Sequence, residues 1–163
     1  MASLSDSLVQ QLLTGRYIAS LATNQKDGSI HMVAVWYRYE GGRIYIATST
    51  RTRKARNVQA NPKLSLMIDS RDPAASYGVT VVGSAELLTG ETSRKWNERV
   101  HQKYLSKDAL ADPRVGPVFA SWDDLTIQIT PTEVISWDMR QLDKALLGGA
   151  FEHSPTYLLP LER

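Results

Sequence analysis

Apolar side chains recur along this chain in two rhythms, one helical and one alternating. Leu4, Leu8 and Leu12 are spaced four apart, with Val9 and Leu13 beside them, a stripe that predicts an amphipathic helix. Ser3 or Ser5 is placed to cap its start and Gly15 to end it. The stretch RYIASLATNQKDGSIHMVAVWYRYEGGRIYIATS then predicts three strands in a meander, turning at Lys26-Asp27-Gly28 and Gly41-Gly42. Its middle strand is apolar on both sides. Ile30, Met32, Ala34 and Trp36 fall on one face, and Val33, Val35, Tyr37 and Tyr39 on the other. Such a strand is expected to be covered on both faces, inside a barrel that something else also covers.

A short basic helix is predicted after Thr52, followed by strands in KLSLMIDS and YGVTVVGSAELL, with a loop over 71–76 between them. ETSRKWNERVHQKYL predicts a helix over 91–105 with Trp96, Val100 and Tyr104 on one side. Residues 106–116 read as a loop, and LTIQITPTEVISW as a last long strand bent at Pro131. The tail from Asp138 shows no clear period. About six antiparallel strands with two or three helices predict a mainly β fold, a small barrel with flanking helices.

Composition narrows the picture little. The 163 residues suit one domain, 1–163, and 42% hydrophobic with 22% charged residues is ordinary for a globular chain. A net charge of +2 does not indicate a nucleic-acid-coating protein. The absence of cysteine excludes disulfides, thiol nucleophiles and cysteine–zinc sites. No signal peptide is read at the amino terminus, and no apolar run approaches the roughly 20 residues of a membrane helix. A cytoplasmic protein without membrane or nucleic-acid partners is expected.

Charge matters locally. Arg51, Arg53, Lys54 and Arg56 fall within six positions at a strand-to-helix junction. The first N–H groups of a helix and its macrodipole attract anions, and cations there are unfavourable without one. Thr48, Ser49 and Thr50 precede the cluster with three hydroxyls, while Arg53, Lys54 and Asn57 fall within roughly one helical face. Two readings stand side by side: a solvated basic face, or a phosphate site. His31, His101 and His153 show no metal-ligand spacing. His31 is the one histidine considered as a proton donor or ring contact, and no catalytic residue is assigned.

The strand ending SLAT, the strand DGSIHMVAVWY and the run IYIATSTRTRKARNVQANPKLSLMID together resemble the pyridoxamine 5′-phosphate oxidase-like split-barrel superfamily of flavin and deazaflavin oxidoreductases. The resemblance covers residues 5–89, and Ser136-Trp137 more loosely. It implies a six-stranded antiparallel split β-barrel, a homodimer with cofactor sites along the interface, and FMN or coenzyme F-420 as cofactor. Residue by residue it implies that Lys54 and Arg53 meet the cofactor phosphate with Asn57 behind them. Thr48, Ser49 and Thr50 would line the ribityl chain and phosphate. His31, Met32, Val33 and Val35 match the strand along which the ring lies, and Tyr77 a position that in some relatives reaches the partner's cofactor. The substrate would be a small organic molecule. Hydride chemistry resides on such a cofactor, so a lack of acid–base motifs is no objection. The arginine-rich carboxy-terminal segment of the oxidase itself is missing from LLGGAFEHSPTYLLPLER, which counts against vitamin B6 oxidation. Rival readings are a non-catalytic flavin- or haem-binding sensor or storage protein on the same barrel, and a nucleic-acid binder. The latter is weakened because no aromatic residues interleave the basic run.

Overall fold

Val9, Leu12 and Leu13 are fully buried on one side of helix α1 (Ser7–Thr14), as the leucine stripe requires. The helix starts later than the serines suggest. Asp6 holds the cap position, but its carboxylate accepts the Ser3 N–H at 2.9 Å and caps no helical N–H. Gly15 ends the helix for reasons of space, since a Cβ there would lie 2.7 Å from the Gln11 carbonyl oxygen. These observations come from a computed structural model, which describes residues 2–72 and 76–160. The loop expected over 71–76 therefore falls partly outside the described residues.

Strand β1 (Ala19–Asn24) pairs with β2 (Ile30–Val35), and β3 (Arg38–Glu40) with β4 (Arg43–Thr48). The second hairpin turns on Gly41 and Gly42, whose φ of 58° and 76° are the left-handed values of a type I′ turn. After α2 (Arg53–Ala60) come β5 (Lys63–Asp69), β6 (Tyr77–Leu88) and, later, β7 (Leu125–Asp138). All pairs are antiparallel, in the order β2-β1-β5-β6-β7-β4-β3.

This makes seven strands where six are expected. The presumed middle strand is two short ones, broken at Trp36 and Tyr37. Far from lying inside the sheet, β2 and β3 form its opposite edges. Three Cα steps separate Val35 from Arg38, a reach of about 11 Å. The sheet must curl until its two edges nearly meet, which makes it a barrel. The edges are not hydrogen-bonded to each other, which makes it split.

The interior of the barrel holds Leu21, Ile44, Ile46, Leu66, Ile68, Val79, Val81, Ile127 and Ile129, all fully buried. Each such side chain contributes about 1.5–3 kcal/mol relative to exposure. The bend expected at Pro131 is a β-bulge opposite Val82 and Gly83. Helix α3 (Gly90–Tyr104) packs Trp96 flat on Tyr45 and buries Val100. The expected loop over 106–116 holds a helical turn, α4 (Lys107–Ala111), before α5 (Gly116–Trp122). The tail is also helical, with α6 (Met139–Leu147) and α7 (Ala150–His153). Met139, Leu142 and Leu146 do follow a helical spacing in α6, but with Leu147 they all remain exposed. Among the described residues no helix is long and apolar enough to cross a membrane.

Candidate functional site

The basic junction folds as a self-capped turn. Thr52 caps α2 by accepting the Ala55 N–H at 3.3 Å, and its hydroxyl also donates to the Ser49 carbonyl at 2.8 Å. Thr48 and Ser49 are buried, with the Thr48 hydroxyl 3.0 Å from that of Thr52 and the Ser49 hydroxyl accepting the Arg51 N–H at 3.3 Å. Thr50 is exposed and gripped by one carboxylate. Its N–H and hydroxyl donate to the two oxygens of Asp124 at 2.8 and 2.9 Å, and these bonds hold that carboxyl below its usual range. The three hydroxyls thus have partners within the chain.

The basic side chains diverge, because neighbours on a helix point about 100° apart. Lys54 turns into a cavity of about 330 Å³. Arg53 faces an open hollow shared with Arg56, Gln25 and Asp27. Asn57 borders the Arg53 hollow and does not line the Lys54 cavity. It is buried and donates from Nδ2 to the Thr23 hydroxyl at 3.0 Å.

The Lys54 cavity opens where the barrel is split. Ala34, Val35 and Trp36 supply the wall from the β2 edge, Ala47 comes from β4, and His101, Phe119 and Asp123 close the far side. Burial lowers the Lys54 pKa, an effect opposed by the nearby Asp123 carboxylate. His101 is buried with Nε2 2.8 Å from Asp123 Oδ2, and its ring edge faces Phe119. Asn97 donates to the Asp123 carbonyl at 2.8 Å and fixes that loop. Trp36 stacks between Tyr104 and Phe119, at 4.9 and 5.6 Å between ring centroids. Trp36 and Phe119 make part of the wall aromatic, and among the described residues lining it Lys54 is the one lysine or arginine. His101, Phe119 and Asp123 also line a second cavity, of about 470 Å³, behind α5.

Of the residues expected from sequence, Val35 and Lys54 line this cavity. His31, Met32 and Val33 lie further along β2 and alternate across it. Met32 is 62% exposed, while His31 and Val33 are half-buried beside the core face. The His31 Nδ1 is buried without a hydrogen-bond partner. Tyr77 does not line the cavity. It lies under the Arg140 guanidinium, 4.0 Å from ring centroid to Cζ, and accepts a hydrogen bond from Gln11 at 3.3 Å. Sequence reasoning missed His101, Phe119 and Asp123, which reach the site from α3 and the α5 end through tertiary packing. No sequence signal marked them, since the burial of His101, and of Asn97 one turn before it, is visible only in the fold. Among the described residues no group of three or more His, Asp or Glu forms a metal site.

The family model described as pyridoxamine 5′-phosphate oxidase matches residues 6–138. Among curated proteins the sequence finds no match. Solved structures with the same fold include an F-420 reductase, at TM-score 0.62 and 22% identity, covering 77% of this chain and 94% of that one. A conserved hypothetical protein from Mycobacterium tuberculosis has TM-score 0.70 and 22% identity, with coverage of 86% and 88%. A FAD-binding protein from Mesorhizobium loti has TM-score 0.59 and 23% identity, with coverage of 83% and 93%. At such identities the likeness is one of fold.

Proposed function

The chain belongs to the pyridoxamine 5′-phosphate oxidase-like split-barrel superfamily, and from that premise we propose an oxidoreductase that holds FMN or coenzyme F-420. The observation that carries this reading is the Lys54 cavity. A half-buried ammonium stands at the end of an apolar and aromatic slot in the split of the barrel. One cation for a phosphate and a flat apolar wall for a ring is the donor set such a cofactor needs.

The edge strand β2 supplies the rest. It pairs with β1 on one side only, so its other side presents free backbone N–H and C=O groups to a ring laid along it. His31, Met32, Val33 and Val35 are then ring contacts, His31 bringing its unpartnered Nδ1. Arg53 and Tyr77 would reach cofactor only in an assembly that brings other parts of the surface to the site. Thr50 would meet a phosphate by exchanging or sharing its bonds to Asp124. A homodimer is proposed on the exposed Ile30 and Met32 of β2, 57% and 62% accessible, which a partner chain would cover. That an F-420 reductase and a FAD-binding protein share this fold accords with this cofactor class.

Such a cofactor supplies hydride transfer. The chain's own part is to hold and to exclude. Lys54 binds the phosphate, the β2 edge orients the ring, and Trp36 with Phe119 shuts water from one side. Asp123 commits one imidazole nitrogen of His101, which fixes the ring at the cavity wall. The substrate is a small organic molecule stacked on the open face.

Absorbance and fluorescence of protein purified from a host that makes both cofactors test the proposal. A flavin or deazaflavin spectrum that is lost in Lys54→Ala supports it. Protein that binds neither at high micromolar concentration overturns it.

A further inference from the structure

A second cation is buried elsewhere, and it has no evident partner. Lys103, in the last turn of α3, has its ammonium shut off from solvent with no hydrogen bond. It sits 3.8 Å above the centre of the Tyr37 ring and 5.6 Å from that of Tyr104. A ring face replaces only part of the hydration of a group with three donors. Burial, then repulsion from Arg38 and Arg16, brings its pKa down to about 8.

These three cations share a hollow of about 450 Å³ with Thr14, Tyr39 and Gln102. Glu98 accepts a hydrogen bond from Gln102 at 3.0 Å, and Glu40, beside Arg38, is already taken. It accepts from Arg38 Nε at 3.0 Å and from Arg99 at 2.7 Å. Arg16 is exposed and makes no ion pair among the described residues. Arg16 and Lys103 therefore have no carboxylate partner among the described residues. Like charges gathered around a desolvated ammonium repel one another unless an anion lies among them.

We propose that this hollow binds a compact oxyanion, a phosphate or pyrophosphate group of a small molecule. Arg16 offers an uncommitted fork to its oxygens, Arg38 the part of its guanidinium not bonded to Glu40 and the Arg99 carbonyl, and Lys103 a buried point charge beside them. It is separate from the Lys54 cavity. Tyr37 lies against Lys103 on this side, while the adjacent Trp36 lines the other cavity.

Titration of the full chain with inorganic phosphate and pyrophosphate, followed by calorimetry and by amide chemical shifts, tests the proposal. Lys54→Ala is the control for the other site. The expected result is pyrophosphate binding that survives Lys54→Ala, shifts the amides of Gln102, Lys103 and Tyr39, and weakens at least tenfold in Arg16→Gln. Arg16 is exposed, so that variant is expected to fold. Lys103→Met is expected to weaken binding similarly. Failure to bind either probe at millimolar concentration overturns the proposal, as does binding lost in Lys54→Ala or unchanged in Arg16→Gln. None of these outcomes depends on whether the chain takes a flavin.

Discussion

His101 and Asp123, one on α3 and the other at the end of α5, meet at 2.8 Å in the wall between two cavities. The imidazole is 5% exposed, so the carboxylate is its substitute for water. Asp123→Ala leaves that nitrogen without a partner and is expected to cost about 1–3 kcal/mol. For a chain of this size that lowers the melting temperature by roughly 2–4 °C per kcal/mol. Asp123→Asn keeps an acceptor oxygen while removing a negative charge from beside Lys54, so FMN binding tightens severalfold. Calorimetric melting and FMN titration read the two effects separately, and a D123A melt identical to wild type would contradict the first.

Lys54→Met separates phosphate recognition from ring recognition. Removing a charge-assisted contact costs about 1.5–3 kcal/mol, or roughly ten- to a hundredfold in affinity. The loss is expected for FMN and not for riboflavin, which has the ring without the phosphate. The fold is expected to be no less stable, because the ammonium is partly desolvated. Flavin fluorescence quenching with both ligands decides it; equal losses for the two would remove Lys54 from the phosphate.

Lys103 gives stability a pH dependence of known sign. Its pKa falls from an ordinary 10.5 to about 8 in the folded chain. Between those values the unfolded chain binds a proton that the folded chain has released, so stability rises with pH across the window. Below about 8 the penalty is complete. Tyr104, pushed up to about 12 by burial, acts in the opposite sense only above the ordinary tyrosine value of 10. Lys103→Met is therefore expected to be more stable than wild type at neutral pH, with the gap closing toward pH 10. Urea unfolding of both proteins across this range measures the gap.

Asn97 ties three elements together. Its Nδ2 donates to the carbonyls of Asp123 and Leu125 at 2.8 and 3.2 Å, and its Oδ1 accepts from Thr126 at 2.6 Å. Asn97→Leu strands several buried polar groups, each costing about 1–3 kcal/mol. Chemical denaturation is expected to show a loss toward the upper end of single-substitution effects. Asp123 loses its anchor at the same time, so the Lys54 cavity should bind cofactor more weakly as well.

The parts of the fold legible in the sequence are those with local causes. Gly41-Gly42 can only be a tight turn, Thr52 caps its own helix, and the alternation in LTIQIT marks a strand. The break at Trp36-Tyr37 was not legible, because apolar residues continue straight through it. Its cause lies 67 residues away. The Tyr104 hydroxyl accepts the Tyr37 N–H at 3.2 Å and donates to the Tyr17 carbonyl at 2.7 Å, while the Tyr37 hydroxyl donates to the Leu12 carbonyl. Those long-range bonds take backbone groups that a strand ladder would otherwise use. At the site, Lys54 was legible from charge at a helix start. His101 and Asp123 were not, since each alone reads as a helix or loop residue and only packing brings them together. Of the three residues expected on one helical face, Arg53 and Asn57 border the same hollow, while Lys54 turns about 100° away into the cavity.

The strand order has a consequence for how the chain reaches this shape. β4 pairs with β3 and with β7 only, so the β3–β4 hairpin is hydrogen-bonded to the rest of the sheet through Leu125–Ile129 of β7. During synthesis that hairpin precedes Leu125–Ile129, which cover its second edge, by a long stretch of chain. Contacts of such sequence separation make for slow acquisition of structure. The waiting edge, Ile44-Tyr45-Ile46, is apolar and rich in β-formers, the kind of segment that pairs with strangers. The interval between translation of Thr48 and translation of Leu125 is when this protein is most exposed to aggregation.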